Sequence, residues 1–128
     1  MFTAQELETL FRSVDWLSGD YPQELAQAMC GSGTVFSAWN GELLVVLINV
    51  LDDGALSAYI HYMLVAPEYQ GRGIGSELLR RVREKYRSYL YLTVVPEERK
   101  NVAFYEKHGF SVEMGATPMV IFNPRRNI

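Results

Sequence analysis

The chain has 128 residues and a formal net charge of −3, so it has room for one domain, residues 1–128, and lacks the charge of a general nucleic-acid binder. Its composition, 48% hydrophobic and 21% charged, is typical of a globular protein and argues against disorder. One cysteine excludes an internal disulfide, and one cysteine with two histidines makes no metal-ligand pattern.

We expect neither a membrane span nor an export signal. No run approaches the roughly 18 apolar residues of a membrane span. The first residues include Glu6 and Glu8 in place of the positive charges that open a secretory signal. We therefore expect a cytoplasmic protein with no membrane partner.

Two helices are predicted first. Thr3 and Glu6 form a capping-box pattern, and apolar residues then recur at helical spacing, which predicts a helix over about 4–14. Pro22 suits the first turn of a second helix, which Gly31 ends.

The segment between these helices could border a substrate site. It carries two acids and two aromatic residues, Asp15, Asp20, Trp16 and Tyr21. The alternative is that Trp16 belongs to the core and the acids are solvated.

Three strands follow. The runs 34–39 and 43–50 flank Asn40-Gly41, a strong signal for a hairpin. The second run is apolar on both faces, which predicts a central strand covered on both sides. An acidic turn then leads into a third strand, 57–65.

A glycine-rich segment, 70–76, joins the third strand to an amphipathic helix. The N–H groups at a helix start lack partners, and the helix dipole adds partial positive charge there, so the junction is suited to bind an anion. Glycines allow the backbone to approach phosphate oxygens closely. The apolar face of the helix consists of Ile74, Leu78, Leu79, Val82 and Tyr86.

The C-terminal third is predicted to alternate strand and helix. A strand, 89–95, precedes a helix that begins at Pro96, has Glu97 and Glu98 in its first turn, and ends at Gly109. A closing pair of strands, 110–114 and 117–122, precedes a tail, 124–128.

Two motifs resemble the GNAT acetyltransferase superfamily. The spacing Gln70-x-x-Gly73-x-Gly75 is similar to its acyl-CoA pyrophosphate loop, and it fits neither the dinucleotide fingerprint nor the Walker loop. About thirty residues later, the segment Ala103-Phe-Tyr-Glu-Lys-His-Gly-Phe110 resembles the family pattern A-x-Y-E-K-x-G-F. The resemblance covers about 43–122.

The resemblance implies an α/β, or α+β, fold with a mixed, mostly antiparallel central sheet flanked by helices. Members of the family usually begin with a strand, whereas this sequence begins at a helix. We therefore expect the first edge strand of the family sheet to be missing, which would leave an edge in need of cover.

The same resemblance implies an acyltransferase. Acetyl-CoA would be the acyl donor, and the acetyl group would pass to a primary amine of a small molecule or a peptide by direct attack in a ternary complex. In the family, the region between the first two helices shapes acceptor specificity, so the resemblance implies that this amine could be contacted by Asp15, Trp16, Asp20 and Tyr21. Backbone amides near Val65 would bind the thioester oxygen. The pyrophosphate would be held by the loop residues Gln70, Gly71, Arg72, Gly73, Ile74, Gly75 and Ser76.

Tyr105 matches the family tyrosine that protonates the leaving thiolate. A phenol, with an unperturbed pKa of about 10, is a suitable donor to a thiolate of slightly lower pKa. The alternative is a tyrosine that only packs on the sheet.

The general base is less defined. Many relatives carry an acid on the strand before the loop, whereas 57–67 contains none. His61 is the titratable candidate, and strand alternation predicts that it shares a face with Tyr59, Met63 and Val65. A structural histidine and a mechanism without a dedicated base are the alternatives.

Other features leave the function open between two classes. Glu98 stands where the family usually has an asparagine, seven residues before the tyrosine, so one cofactor contact differs. This departure and the missing acid favour a non-catalytic CoA-binding or acyl-CoA-binding sensor or partner module as the alternative to the enzyme. The apolar run 119–122 could mediate a homodimer, and the amine acceptor is not defined by the sequence.

Overall fold

The described part of the chain, residues 1–124 of a computed structural model, contains four helices and four strands. In chain order they are α1 (Ala4–Ser13), α2 (Pro22–Gly31), β1 (Thr34–Asn40), β2 (Leu43–Asp52), β3 (Ser57–Val65), α3 (Ile74–Lys85), β4 (Tyr91–Val94) and α4 (Val102–Lys107). Short 3-10 turns lie at Leu17–Asp20, Pro67–Tyr69 and Arg99–Asn101. The chain divides into two units, Met1–Val94 and Val95–Ile128.

A four-stranded sheet in the order β1-β2-β3-β4 forms the centre of the first unit. The pairs β1–β2 and β2–β3 are antiparallel, and β3–β4 is parallel. Every residue of β2 from Leu44 to Val50 is buried, as predicted for a strand covered on both faces. The predicted mixed, mostly antiparallel sheet flanked by helices is therefore confirmed, with β1 and β4 as its edges.

One face of the sheet is covered by α1 and α2. The capping box forms as predicted, with Thr3 N donating to Glu6 Oε1 (2.9 Å) and Glu6 N donating to Thr3 Oγ1 (3.1 Å). The buried cluster on this face comprises Leu7, Leu10, Phe11, Leu25, Met29, Leu44, Leu47 and Leu64. Each fully buried Leu or Phe contributes about 1.5–3 kcal/mol, so this cluster fixes both helices on the sheet.

The opposite face is covered by α3. Leu78, Leu79 and Val82 of this helix are buried there, as the helical spacing predicted. At its end, the Tyr86 hydroxyl donates to Asp52 Oδ2 at 2.6 Å, so the 2.6 Å contact of Tyr86 with Thr34 is a hydrogen bond donated by Thr34. Burial and this bond to Asp52 raise the pKa of Tyr86 to about 12.

The ladder between β2 and β3 contains a bulge. Asn49 lies opposite Tyr62 and Val50 lies opposite Ile60, so His61 is an extra residue of β3 with no counterpart on β2. Such a bulge bends the strand and changes which residues face each side of the sheet. Leu51 and Tyr59 consequently lie on the face of α1, whereas Ile48 and Met63 lie on the face of α3.

The helix of the second unit begins later than predicted. Glu98 has extended backbone angles, φ −121° and ψ 141°, so it ends the irregular stretch after Pro96, and the helix α4 begins only at Val102. The predicted helix start at Pro96 is therefore wrong. The end is as predicted: Gly109 has a φ of 93°, and the Phe110 N–H donates to Tyr105 O at 3.2 Å.

The predicted closing strands are not formed. Within residues 110–124, which the structure describes, the only regular feature is a turn at 114–115. Two strands need a hydrogen-bonded partner and a face to bury, whereas Met119, Val120 and Ile121 are 85–93% exposed. Of the predicted tail, 124–128, all but Pro124 lies outside the described residues.

Candidate active site

The glycine-rich loop forms the start of α3. After β3, the turn Pro67–Tyr69 leads to Gly71 and Gly73, whose φ angles are 76° and 80°. Gly73 is the N-cap residue of α3, and its carbonyl accepts the hydrogen bond from Glu77 N at 3.1 Å. Positive φ is a conformation that glycine adopts without steric cost, so the two glycines set the path of the chain into the helix.

Gly75 allows α3 to lie against β3. A Cβ atom at this position would be 3.1 Å from Met63 Cε and 3.3 Å from Val65 Cγ2. Both distances are shorter than ordinary van der Waals contact, so a larger residue would push the helix away from the strand. The positive end of the helix dipole therefore lies beside the end of β3 that carries Val65.

Gln70 has a structural contact within the loop. Its Nε2 donates to the backbone oxygen of Val65 at 3.0 Å, which closes the segment between the strand and the helix. The predicted cofactor-binding residues of the loop and Val65 are thus brought together in one part of the first unit. Ile74, Gly75 and Ser76 form the first turn of α3.

Arg72 lies over an aromatic ring that the sequence reasoning missed. Its guanidinium carbon is 5.0 Å from the centre of the Tyr69 ring, a cation–π contact. The Tyr69 hydroxyl in turn accepts a hydrogen bond from Asn40 Nδ2 at 2.7 Å. The β1–β2 hairpin therefore holds the tyrosine that orients the arginine, and only the three-dimensional structure shows this link.

The first turns of α3 also hold an ion-pair network. Glu77 accepts from Arg80 Nη2 at 2.6 Å and lies 3.6 Å from Arg81 Nε. The hydrogen bond from Arg80 lowers the pKa of Glu77 to about 2, so the ionised carboxylate is the form that this contact favours. Two of the helix arginines are thereby directed to Glu77, whereas Arg72 lies at the start of the helix over Tyr69.

The pairing of β3 with β4 ends in the middle of β3. The parallel pairs run from Ser57 with Tyr91 to Ile60 with Val94, and β3 continues to Val65. Within the first unit, the last part of β3 thus extends past the end of β4.

The structure contradicts the predicted orientation of His61. The bulge interrupts the alternation of β3, so Tyr59 lies on the opposite face from Met63 and Val65. The His61 ring stacks on Tyr62 with centroids 4.1 Å apart and on Tyr59 with centroids 5.9 Å apart. His61 therefore belongs with these two tyrosines on the α1 side, and the prediction that it shares a face with Met63 and Val65 is wrong.

The segment between α1 and α2 is tied to β3 through Tyr62. The Tyr62 hydroxyl and Ser18 Oγ are 2.6 Å apart, and the Tyr62 ring lies 5.9 Å from that of Trp16. Trp16 also packs edge-on against Phe11, so the interpretation of Trp16 as a core residue is supported. Asp20 lies 3.5 Å from Arg12.

Asp15 is exposed and has a φ of 58°. A positive φ is uncommon for a residue other than glycine, although aspartate tolerates it better than most. The strained position marks the turn between α1 and the segment that follows it.

Tyr105 lies in the second unit, on α4. It is buried, and its ring packs edge-on against Phe104 and Phe110, with centroids 5.2 Å and 5.6 Å away. The motif residues that flank the tyrosine thus hold its ring within the unit. Glu98 precedes the helix, and its backbone oxygen accepts from Asn101 N at 2.9 Å.

Residues 1–124 show neither a metal-binding cluster nor a membrane-spanning helix. No group of three or more His, Cys, Asp or Glu side chains in that part of the chain is arranged to hold a metal ion. Across the same residues, no helix combines the length and the apolar character that a membrane crossing requires.

Comparison with known proteins agrees with this architecture. The model of the acetyltransferase (GNAT) family matches residues 3–110. The chain therefore belongs to the GNAT acetyltransferase family, as the two sequence motifs predicted. No curated protein gives a significant match.

Solved structures show the same fold. A GNAT-family acetyltransferase from Streptococcus pneumoniae is 27% identical, with 98% of this chain and 94% of that chain covered and a TM-score of 0.82. A probable acetyltransferase of unknown function from Staphylococcus aureus is 17% identical and has a TM-score of 0.85. The match covers 95% of this chain and 94% of that chain. An aminoglycoside 6′-N-acetyltransferase complexed with coenzyme A is 19% identical and has a TM-score of 0.55. The match covers 66% of this chain and 49% of that chain.

Proposed function

We propose that residues 1–128 act as one acetyl-CoA-dependent N-acetyltransferase domain. The observation that carries the proposal is the left-handed Gly73 at the N-cap of α3, in a chain that belongs to the GNAT family. A pyrophosphate at this helix start would accept hydrogen bonds from the N–H groups of the first turn. Arg72, which is held over Tyr69, would add a positive charge.

The pantetheine arm and the thioester would follow β3. Past Ile60 the strand is no longer paired with β4, so this length of backbone is suited to hydrogen-bond an extended ligand. An amide near Val65 would donate to the thioester oxygen, where negative charge develops during attack. One such donor contributes about 3 kcal/mol to transition-state stabilisation.

The transfer itself would be direct. The acceptor nitrogen attacks the thioester carbonyl carbon, the new C–N bond forms, and the C–S bond breaks. The thiolate of CoA takes the proton of the Tyr105 hydroxyl, and the proton lost by the amine passes through water to His61. The product is an amide and free CoA.

The acceptor would be a primary amine of a small molecule or a peptide. The exposed acid Asp15 and the partly exposed Trp16, on the side of the sheet where His61 stacks, support a cationic amine. The same proposal places the protein in the cytoplasm, with no nucleic-acid or membrane partner. A homodimer through the exposed residues 119–122 is part of this proposal, and sedimentation of the purified protein tests it.

Titration calorimetry with acetyl-CoA tests the cofactor site. We expect micromolar binding by the wild type and no binding by Gly73→Glu, because the new carboxylate would repel the pyrophosphate. Gly54→Glu is the matched control: Gly54 has a φ of 77°, against 80° for Gly73, and a Cβ atom at either position meets nothing within 4 Å. Binding that Gly54→Glu abolishes equally, or absence of binding by the wild type, would contradict the proposal.

CoA release in the presence of a panel of amines then separates the enzyme from the alternative. A protein that binds acetyl-CoA but releases no CoA with any amine would be a non-catalytic CoA-binding module. The hypothesis of a non-catalytic CoA-binding module is favoured by one observation, the absence of any carboxylate side chain from β3.

A further inference from the structure

Asn49 is a polar residue at the centre of the apolar strand β2. It is 0% exposed, and a buried amide is costly unless its hydrogen bonds are made. Asn49 Nδ2 donates to Ser32 Oγ at 3.0 Å, and Asn49 Oδ1 accepts from the backbone N–H of Tyr62 at 2.8 Å. Both ends of the amide are thus paired, with partners after α2 and on β3.

The bond to Tyr62 lies at the bulge of β3. His61 is the extra residue there, so the regular ladder of backbone hydrogen bonds is interrupted between Ile60 and Tyr62. The side chain of Asn49 provides an acceptor for the Tyr62 N–H at this interruption. The amide therefore pairs the N–H of the residue that directly follows the extra residue.

The position of the bulge decides which residues face the cofactor loop. Ile60 faces α3, and a regular strand of period two would also direct Tyr62 and Leu64 toward α3. With the extra residue, Met63 and Val65 face α3 instead, and both contact the position of Gly75. Without the bulge, Val65 would turn to the opposite face of the sheet.

The bulge also coincides with the place where β3 leaves β4. Ile60 is the last residue of β3 that pairs with β4, and His61 follows it directly. Because a bulge bends its strand and increases the local twist, it directs the segment 62–65 away from the line of β4.

We propose that Asn49 is a positioning residue for acyl-CoA, acting through the bulge of β3. Its amide holds the Tyr62 N–H, which sets the direction of 62–65 and brings Val65 beside the start of α3. This proposal rests on the proposed function, in which the acyl-CoA arm follows that segment. Ser32, whose hydroxyl donates to Ala28 O at 2.8 Å, anchors the other end of the amide to α2.

The experiment compares Asn49→Leu with Val50→Ala. Leucine has the same number of side-chain non-hydrogen atoms as asparagine, branched at the same carbon, but makes neither hydrogen bond. Val50 is the next residue of β2, is also 0% exposed, and lies opposite Ile60, so its truncation disturbs packing beside the bulge without touching the amide. For each variant we would measure the unfolding free energy, the exchange rate of the Tyr62 amide hydrogen by NMR, and the Kd for acetyl-CoA.

In Asn49→Leu, the loss of global stability by itself will speed up the exchange of the Tyr62 amide hydrogen. We expect the measured exchange to be at least about tenfold faster than that loss accounts for. Its Kd for acetyl-CoA should rise about tenfold or more, whereas Val50→Ala should bind within about threefold of the wild type. Equal binding by Asn49→Leu and Val50→Ala at comparable stability would overturn the proposal, because loss of packing would then explain both.

Failure of this proposal is distinguishable from failure of the proposed function. If the wild type does not bind acetyl-CoA, the function is wrong, and the exchange rate of the Tyr62 amide alone decides whether Asn49 holds the bulge. If Asn49→Leu does not fold, Ser32→Ala replaces it, because it removes only one partner of the amide. In Ser32→Ala, the exchange rate of the Tyr62 amide and the Kd for acetyl-CoA should each rise about threefold. The proposal would be overturned if neither quantity changed.

Discussion

Asn40 and Tyr69 join the β1–β2 hairpin to the loop before α3 through a hydrogen bond of 2.7 Å between Asn40 Nδ2 and the tyrosine hydroxyl. The guanidinium of Arg72 in turn lies over the ring of Tyr69. The hairpin turn, far from the loop in sequence, therefore takes part in arranging the charge at the candidate pyrophosphate site.

Two substitutions of Tyr69 distinguish the contribution of its ring from that of its hydroxyl to acetyl-CoA binding. Tyr69→Leu removes the cation–π contact with Arg72, and we expect the Kd for acetyl-CoA to rise about three- to tenfold. Tyr69→Phe keeps the ring and loses only the bond from Asn40, so its Kd should rise less. Calorimetric titration measures both, and a larger effect of Tyr69→Phe than of Tyr69→Leu would contradict the assigned role of the ring.

Gly33 should not tolerate a side chain. A Cβ atom at this position would lie 1.9 Å from Asp52 Oδ2, and the carboxylate cannot move without losing its bonds from Tyr86 and Gly54 N. We expect Gly33→Ala to lower the unfolding free energy by about 2 kcal/mol, one hydrogen bond being worth about 1 kcal/mol.

Gly31→Ala is the control for that substitution. Nothing lies within 4 Å of a Cβ atom at Gly31, and the residue ends α2, so the change should be neutral or stabilising by up to about 1 kcal/mol. Denaturant unfolding of both variants checks the prediction, which fails if the two are equally stable.

Tyr86 should make stability depend on alkaline pH. Its pKa is raised from 10.0 to about 12, so the folded protein favours the neutral phenol. The stabilisation is fully present below pH 10.0 and is lost as the pH rises through about 12, because the unfolded chain releases the proton first.

Comparison with Tyr86→Phe isolates this effect. The variant keeps the ring but cannot lose a proton, so the difference in unfolding free energy between wild type and variant should shrink between pH 10.0 and 12. Urea titrations at several pH values measure it. A difference that stays constant over this range would contradict the raised pKa of Tyr86.

Tyr105→Phe tests the proposed acid. Loss of the hydroxyl should lower the rate of CoA release about 100-fold or more, since general acid catalysis contributes about that much. The Kd for acetyl-CoA should stay within about twofold, because the ring still packs against Phe104 and Phe110. Tyr91→Phe, at a residue 60% exposed on β4, is the control, and an equal loss of rate in both variants would remove the special role of Tyr105.

Local sequence patterns were sufficient to predict most of the helices, strands and turns of the first unit. Thr3 and Glu6 specify a helix start through bonds three residues apart, and the glycines at 71 and 73 specify a turn that most other residues would strain to adopt. The continuous apolar run of β2 predicted a strand covered on both faces. Each of these features depends on neighbours in the chain, which is why it could be read directly.

The C-terminal region shows where such patterns fail. Apolar residues at 119–122 favour a strand, yet a strand exists only with a hydrogen-bonded partner, and none is formed within residues 110–124. Pro96 likewise suits a helix start, but the extended backbone of Glu98 delays the helix to Val102.

By itself, the sequence determined the family, the order of most helices and strands, and the loop that begins α3. The tertiary structure alone decided the face on which His61 lies, the bond from Asn49 to the Tyr62 amide, and the ring that carries Arg72. The physical reason is that a bulge is defined by register against a partner strand, and a buried amide or a ring by groups distant in sequence. Spacing within one strand cannot contain that information.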